Sequence, residues 1–312
     1  MSKANKNNTE VFYLRSGEAI PKIGFGPGIM GYSAKMAKKR NKIGFFLWRV
    51  YNKLYFRKRQ QVKFVAAIAN AFSNGYRLFD YSNAYGNQEL ISPAIKRSGI
   101  PREDLFLTAR ISNRAQFNGN VREEFLSTLS QWGVPQVDLL QFHWPVTGKY
   151  IDTWKEMIKL KEEGYVKVLG VANCHQHHIE ELEKATGVLP EVNQIEVHPL
   201  FTQKPLLEYC KSRDIIVESY TPVGRYDDRL VRLPLLKRLE EKYHKSFVQI
   251  ILRWHIQNGV IPVVRALNPE HQKDNIDIFD FTLSDADMAL IDGINIDSRL
   301  RYNPDNCDFT IL

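Results

Sequence analysis

The feature that most constrains the fold is a regular alternation of short apolar runs with longer amphipathic stretches. The apolar runs are hydrophobic on consecutive residues, as expected for strands that are covered on both faces. Eight of them stand out: IGFG (23–26), YRLFD (76–80), LFLTA (105–109), VDLLQFH (137–143), VKVLGVA (166–172), EVNQIEV (191–197), DIIVES (214–219) and VIPVV (260–264). Strands that alternate with helices favour a parallel sheet.

The amphipathic stretches between these runs have the spacing of helices. The clearest are NVREEFLSTLSQWG (120–133), IDTWKEMIKLKEEG (151–164), HHIEELEKATG (177–187), KPLLEYCKSR (204–213) and SFVQIILRWHIQNG (246–259). Gly133, Gly164, Gly187 and Gly259 lie at or near their ends, where a helix often finishes in a left-handed residue. We therefore expect each of these glycines to terminate a helix.

A parallel sheet of eight strands can close into a barrel or stay open and doubly wound. Polar residues occur at the ends of many different strands: Asp80, Arg110, His143, Asn173, Gln194 and Tyr220. A barrel collects such side chains at one face, whereas an open sheet concentrates its site at one switch point. The sequence therefore predicts an α/β protein with a (β/α)8 TIM barrel. With no linker or internal repeat, residues 1–312 are predicted to form one domain.

Composition indicates the class of protein and the compartment in which it acts. Of 312 residues, 44% are hydrophobic and 25% charged, which is typical of a globular protein. No apolar run approaches the ~20 residues that cross a bilayer, and the polar N-terminus lacks a secretory signal, so we expect a cytoplasmic protein. Cys174, Cys210 and Cys307 are too few and too scattered for a disulfide framework or a zinc site, and no metal is expected.

Three residues near strand ends form a candidate catalytic group. Asp80 ends one strand, Tyr85 follows in a turn, and His143 ends another strand. Each alone is as well explained by capping or packing. Together with the cation Arg110, they form a group of the kind that transfers a proton near neutral pH.

At these residues the chain resembles the aldo-keto reductases, in particular bacterial members related to diketogluconate reductases. The resemblance runs from about Val11 to the C-terminus, apart from one insertion. It rests on ordered motifs: GYRLFDYSNAYGNQ, PREDLFLTARI, VDLLQFHWP, GYVKVLGVANC, EVNQIEVHP, ESYTPVG, NPEHQKDN, FDFTLSDADM and the terminal RYNPDNCDF. The resemblance implies an NADP-dependent oxidoreductase that reduces an aldehyde or ketone by hydride transfer.

The family's functional residues can be placed on this sequence. Its catalytic Asp, Tyr and His fall on Asp80, Tyr85 and His143, with the Tyr85 hydroxyl protonating the carbonyl oxygen. Trp144 would border the substrate pocket. The resemblance implies cofactor contacts from Asn173, Gln194 and Tyr220 around the nicotinamide, from Thr221, Val223 and Gly224 around the pyrophosphate, and from Arg265, His271 and Asn275 around the adenosine phosphate.

The sequence departs from the family pattern at several of these positions. The tetrad lysine is Arg110, which keeps the positive charge but cannot release a proton. Ala172 replaces a serine before Asn173, and Pro27-Gly28 replaces a bulky wall of the pocket. The block that recognises the 2′-phosphate becomes Val264, Arg265 and Ala266, followed by His271. We therefore expect NADPH to be preferred and NADH to be accepted. Arg265 could equally be an ordinary surface charge.

The predicted insertion covers about residues 29–61 and is strongly basic. Between Ala19 and Phe79 there are 13 Lys or Arg and no acid, although the whole chain carries only +8. Ile43, Phe46, Leu47, Val50, Tyr51 and Leu54 recur at helical spacing. Three interpretations stay open: a helical lid on the barrel rim, a helix on an anionic membrane through residues 36–59, and, least favoured, a nucleic-acid contact.

Two functional hypotheses follow. The first is an active NAD(P)H-dependent carbonyl reductase with Tyr85 as the proton donor. The alternative is a cofactor-binding protein with weak catalysis and a regulatory role, because Arg110 and Ala172 depart from the pattern.

Overall fold

All eight predicted strands form, and they close into one barrel in the computed structural model, which describes residues 10–28, 57–85 and 87–311. A short antiparallel hairpin, β1 (Val11–Tyr13) and β2 (Ala19–Pro21), precedes them. The barrel strands are β3 (Gly24–Phe25), β4 (Leu78–Ser82), β5 (Phe106–Ile111), β6 (Val137–Phe142), β7 (Val166–Ala172), β8 (Val192–Glu196), β9 (Ile216–Tyr220) and β10 (Val260–Val264). Each strand pairs in parallel with the next, and β10 pairs with β3. The predicted barrel is confirmed.

Helices connect the strands, as the alternation predicted. They are α1 (Arg57–Ser73), α2 (Ile91–Ser98), α3 (Asn113–Asn118), α4 (Val121–Trp132), α5 (Tyr150–Glu162), α6 (Gln176–Thr186), α7 (Lys204–Ser212), α8 (Asp228–Val231), α9 (Pro234–Tyr243), α10 (Phe247–Gln257), α11 (Pro269–Ile276) and α12 (Asp285–Asp292). Single 3₁₀ turns occur at Asn83–Tyr85, Gln88–Leu90, Arg102–Asp104, Gly224–Tyr226 and Phe309–Ile311.

The five helices expected from the sequence all form, and their ends have the expected geometry. Gly133 closes α4 with a φ of 68°, and Gly187 closes α6 with a φ of 71°. A side chain at this left-handed conformation is strained, so glycine is favoured there. At the other end of a helix, Ser246 and Gln249 form a reciprocal capping box that starts α10.

The barrel interior is apolar at the N-terminal ends of its strands. One buried cluster contains inward side chains of six barrel strands together with Leu14, just after β1, and Ile20, in β2. Its members are Leu14, Ile20, Leu78, Phe106, Leu139, Val168, Val192 and Ile261. The β1–β2 hairpin thus covers this end of the barrel. We call this cluster the apolar floor, because it lies below the residues at the C-terminal ends of the strands.

One step further along the strands, the inward positions become polar. Because successive strand residues point to opposite faces, the inward residue after Leu78 is Asp80, and the one after Phe106 is Thr108. We call five such residues the polar layer, and all are buried: Asp80, Thr108, Gln141, Gln194 and Glu218. Above this layer the next inward positions include Arg110 and Tyr220, at the C-terminal face.

Most of the predicted basic insertion lies outside the described residues. Residues 57–61, its last five, belong to α1, which connects β3 to β4 around the barrel. The apolar stripe from Ile43 to Leu54 falls in the part that is not described. Within the described residues, no helix has the length and hydropathy needed to cross a membrane.

Candidate active site

Asp80 and Arg110 form a buried ion pair at the C-terminal end of the barrel. Asp80 lies on β4 and Arg110 on the neighbouring β5, and an Nη2 hydrogen of Arg110 is donated to Asp80 Oδ1. The same Oδ1 accepts a second hydrogen bond from Gln194 Nε2 at 3.3 Å. A buried charge pair is tolerated only when its remaining lone pairs find such partners. The sequence-based prediction that Arg110 keeps a cation beside Asp80 is consistent with this contact.

Tyr85 lies in the 3₁₀ turn after β4, with its ring edge-on to two neighbours. Its ring centroid is 5.4 Å from that of Tyr81 and 6.3 Å from that of His143, at interplanar angles of 88° and 90°. Burial raises the pKa of Tyr85, the Arg110 charge lowers it by less, and the Asp80 charge raises it again. The phenol is therefore protonated at neutral pH, as a proton donor must be before reaction.

His143 is a partly buried imidazole next to this phenol. Burial, aided by the charges of Arg110 and Arg301, lowers the pKa of His143 to about 3, so the ring is neutral at physiological pH. Its Nδ1 lies 3.3 Å from Ser82 Oγ, which itself accepts the N–H of Ala84. If the Ser82 hydroxyl donates to Nδ1, the ring hydrogen resides on Nε2 and can be donated to a substrate oxygen.

Glu218 and Gln141 are site residues that sequence reasoning missed. Glu218 Oε2 accepts hydrogen bonds from Gln194 Nε2 at 2.9 Å and from Gln141 Nε2 at 3.2 Å. Burial, with the nearby charge of Asp80, raises the pKa of Glu218 to about 7. The available signal was strand alternation: Gln141 lies two residues before His143, and Glu218 two residues before Tyr220, so each pair shares the inward face.

The residues expected around a nicotinamide lie together but are already hydrogen-bonded. Asn173, with a φ of 59°, donates from Nδ2 to the His143 carbonyl at 2.9 Å, and its Oδ1 accepts from the Tyr220 hydroxyl at 2.7 Å. Gln194 donates to both Asp80 and Glu218. A bound amide would therefore have to exchange with one of these bonds or use a remaining lone pair.

The loop after β9 has an unusual backbone. Thr221, Gly224 and Arg225 all have positive φ, between 52° and 58°. The Thr221 hydroxyl oxygen is buried and has no hydrogen-bond partner among the described residues. Val223, with a φ of −102°, is followed by the left-handed Gly224, and such a pair turns backbone N–H groups toward one side, as in anion-binding loops. The pyrophosphate contact implied for Thr221, Val223 and Gly224 stays a prediction.

Arg265 follows β10 and lies against the loop after β3. A Cβ placed on Gly28, whose φ is +63°, would be 3.3 Å from Arg265 Cδ and Nε, so the missing side chain leaves room for the guanidinium. His271 and Asn275 are one turn apart on α11, which places them on the same helix face. His271 is exposed and Asn275 buried.

Trp144 and the C-terminal segment cover one side of the site. Trp144 is buried, and its ring centroid is 6.4 Å from that of Phe309. The segment is anchored by Glu196, whose two carboxylate oxygens accept the backbone N–H groups of Leu300 at 2.6 Å and Arg301 at 3.0 Å. This anchor also brings the Arg301 charge near Tyr85 and His143.

Comparisons with known proteins identify the family to which the chain is similar. A family model described as the aldo/keto reductase family matches residues 42–296. The chain is 39% identical to glyoxal reductase of Bacillus subtilis (strain 168) over 243 residues, covering 78% of this chain and 87% of the relative. It is 31% identical over 300 residues to methylglyoxal reductase DkgA of Escherichia coli O157:H7, covering 96% and 98%. The solved structure of a Bombyx mori aldo-keto reductase in complex with NADP is similar with a TM-score of 0.80 and 28% identity, covering 95% of this chain and 96% of that one.

Proposed function

Since the chain belongs to the aldo/keto reductase family, it is an NADP(H)-dependent oxidoreductase that reduces aldehydes or ketones, and we propose that Tyr85 is its proton donor. The observation that carries this proposal is the position of Tyr85, a protonated phenol edge-on to the neutral ring of His143 and within the field of Arg110. The relatives are named as reductases, which favours catalysis over a purely regulatory role.

The proposed chemistry divides the work among four side chains. NADPH, held by the residues assigned below, would supply the hydride for the carbonyl carbon. Tyr85 protonates the carbonyl oxygen, and His143 donates a hydrogen bond from Nε2 to the same oxygen while negative charge develops on it. Arg110 stays charged throughout and stabilises the phenolate that Tyr85 becomes, while Asp80 holds the guanidinium in place.

The cofactor would be held by residues at three places on the barrel mouth. We assign the nicotinamide end to Asn173, Gln194 and Tyr220, and the pyrophosphate to Thr221, Val223 and Gly224. Arg265, His271 and Asn275 are assigned to the adenosine phosphate. Of the three residues assigned to the adenosine phosphate, Arg265 is the one permanent cation, so we expect NADPH to be preferred over NADH by a narrow margin.

The experiment that tests the catalytic proposal follows NADPH absorbance at 340 nm with glyoxal, methylglyoxal and a panel of larger aldehydes and ketones. We expect turnover by the natural chain and a loss of ~10²-fold or more in Tyr85→Phe, with the NADPH dissociation constant unchanged. Tyr13→Phe, at an exposed tyrosine of the β1–β2 hairpin, serves as the matched control for handling and folding. Equal kcat in Tyr85→Phe and the natural chain would refute the assignment.

For its setting, we propose one domain over residues 1–312, acting in the cytoplasm. Cys174 and Cys210 are buried free thiols, which suits a reducing compartment. The basic segment 36–59 is proposed to act as a lid, with attachment to an anionic membrane as the competing hypothesis. Co-sedimentation with vesicles containing phosphatidylserine separates them, because only membrane attachment predicts that deleting residues 36–59 abolishes pelleting.

A further inference from the structure

A cluster of histidines lies beside the active site but is not used by the proposed chemistry. His175 precedes α6, and His177 and His178 lie in its first turn. Asp305, in the C-terminal segment, joins them from a distant part of the chain. One ligand atom from each of His177, His178 and Asp305 lies within 4.8 Å of the other two.

The distances approach those of a metal site. His177 Nε2 is 3.6 Å from Asp305 Oδ1, and the ring centroids of His177 and His178 are 3.9 Å apart. Tetrahedral coordination with bonds of ~2.0–2.1 Å places ligand atoms about 3.3 Å apart. Small rotations about side-chain bonds are enough to reach this spacing, because His177 and Asp305 are both exposed.

A divalent ion binds an imidazole nitrogen that carries no proton, so the hydrogen-bond pattern of each ring matters. His178 Nδ1 accepts the backbone N–H of His175 at 3.1 Å, so coordination through Nε2 means exchanging this hydrogen bond and shifting the ring proton. The affinity should therefore be lower than that of a preformed structural site.

His175 and Arg299 hold the carboxylate in place. Arg299 Nη2 lies 3.3 Å from His175 Nε2, and since a guanidinium only donates, Nε2 is the acceptor. The ring hydrogen then resides on Nδ1, which donates to the Asp305 carboxylate at 2.8–2.9 Å. Such outer partners orient metal ligands in known sites.

From this arrangement we infer that His177, His178 and Asp305 form a site for a divalent transition metal of the zinc class, with His175 as a positioning residue. Two imidazoles and one carboxylate suit zinc, nickel or copper and suit magnesium and calcium poorly. A cavity of about 500 Å³ borders the three residues and leaves room for water in the open position. The metal would connect the start of α6, just after Asn173, to the segment that carries Arg301 and Phe309.

The test is isothermal titration of tag-free protein with ZnCl₂, since a polyhistidine tag would itself bind zinc. We expect one ion per chain with a dissociation constant below about 50 µM, and no heat from MgCl₂. His177→Ala and Asp305→Asn should each weaken binding at least tenfold, while His244→Asn, an exposed histidine elsewhere, should not. Zinc should also raise the melting temperature of the natural chain and leave that of His177→Ala unchanged.

Two results would overturn the inference. One is the absence of 1:1 zinc binding by the natural chain, and the other is equal binding by His177→Ala, which would mean that zinc attaches to unrelated surface groups. Both altered side chains are exposed, so folding should be retained, and circular dichroism confirms it. The readouts are independent of NADPH oxidation, so failure of the proposed reductase mechanism would leave this test intact.

Discussion

Replacing Glu218 with glutamine is the sharpest test of the polar layer. Glutamine has nearly the same shape, and its carbonyl oxygen can accept the hydrogen bonds that Gln194 and Gln141 now donate to Oε2. The change therefore removes a titrating group and keeps the packing. What it should alter is the dependence of stability on pH.

The sign follows from the two protonation equilibria. The carboxyl of Glu218 has an ordinary pKa of 4.5, and burial raises it to about 7 in the folded chain. Between these values the unfolded chain has lost the proton and the folded chain retains it, so stability falls as pH rises through this window. Below pH 4.5 both states are protonated, and above pH 7 the penalty is constant.

The magnitude can be worked from the same values. At 1.36 kcal/mol per unit, the window corresponds to a loss of about 3 kcal/mol between pH 4.5 and pH 7. With an unfolding entropy of ~2.1 cal/mol/K per residue, this amounts to about 5 °C in melting temperature. The natural chain and Glu218→Gln should therefore melt at similar temperatures at pH 5, and the variant should be about 5 °C higher at pH 8.

Thermal melts followed by circular dichroism from pH 5 to pH 8, without cofactor, measure the difference. Glu208→Gln on α7 is the matched control, because Glu208 is exposed and the substitution is chemically the same. Its melting temperature should track that of the natural chain at every pH. A gap between Glu218→Gln and the natural chain that is the same at pH 5 and pH 8 would refute the reasoning.

Three further predictions concern neighbouring positions. Arg110→Met should destabilise the fold by ~3–5 kcal/mol in urea unfolding, because it leaves the buried Asp80 charge unpaired, whereas Arg110→Lys should retain most of the stability. Gly170→Ala should lower the melting temperature, by the equivalent of ~1–3 kcal/mol, since the new Cβ would lie 2.8 Å from the Val192 carbonyl oxygen, and an unchanged melt would contradict this. His143→Asn should reduce kcat without shifting the pH–rate profile between pH 5 and pH 8, because burial keeps the ring neutral there, with its pKa lowered to about 3.

The barrel could be predicted from the sequence because eight short apolar runs alternate regularly with longer amphipathic stretches. The position of each catalytic candidate at a strand end followed from the same pattern, since polar residues interrupt it there. Asp80 and Arg110 were thus expected to meet, and they do.

Contacts between distant side chains were beyond the sequence. Gln141 and Glu218 lie on strands β6 and β9. Strand alternation places each on the inward face, but only closure of the barrel brings Gln141 and Gln194 together as donors to Glu218. Asp305 is likewise an ordinary loop residue in sequence, and only the Glu196 anchor of the C-terminal segment brings this region close to His175. These contacts form when segments far apart in sequence are brought together by the fold, and the conformational preferences of the local sequence do not determine them.

The apolar floor of the barrel has a consequence for how Tyr85 regains its proton between turnovers. Among the described residues, Phe106, Leu139 and their neighbours, covered by the hairpin, form an apolar cluster that offers protons no polar route from below. Arg110 cannot release one either. The hydrogen that Tyr85 gives away must then be replaced from bulk water through the mouth of the barrel, where the product and spent cofactor would lie. Reprotonation of Tyr85 therefore depends on the release of product and cofactor. A solvent isotope effect on turnover should vary with the rate of that release.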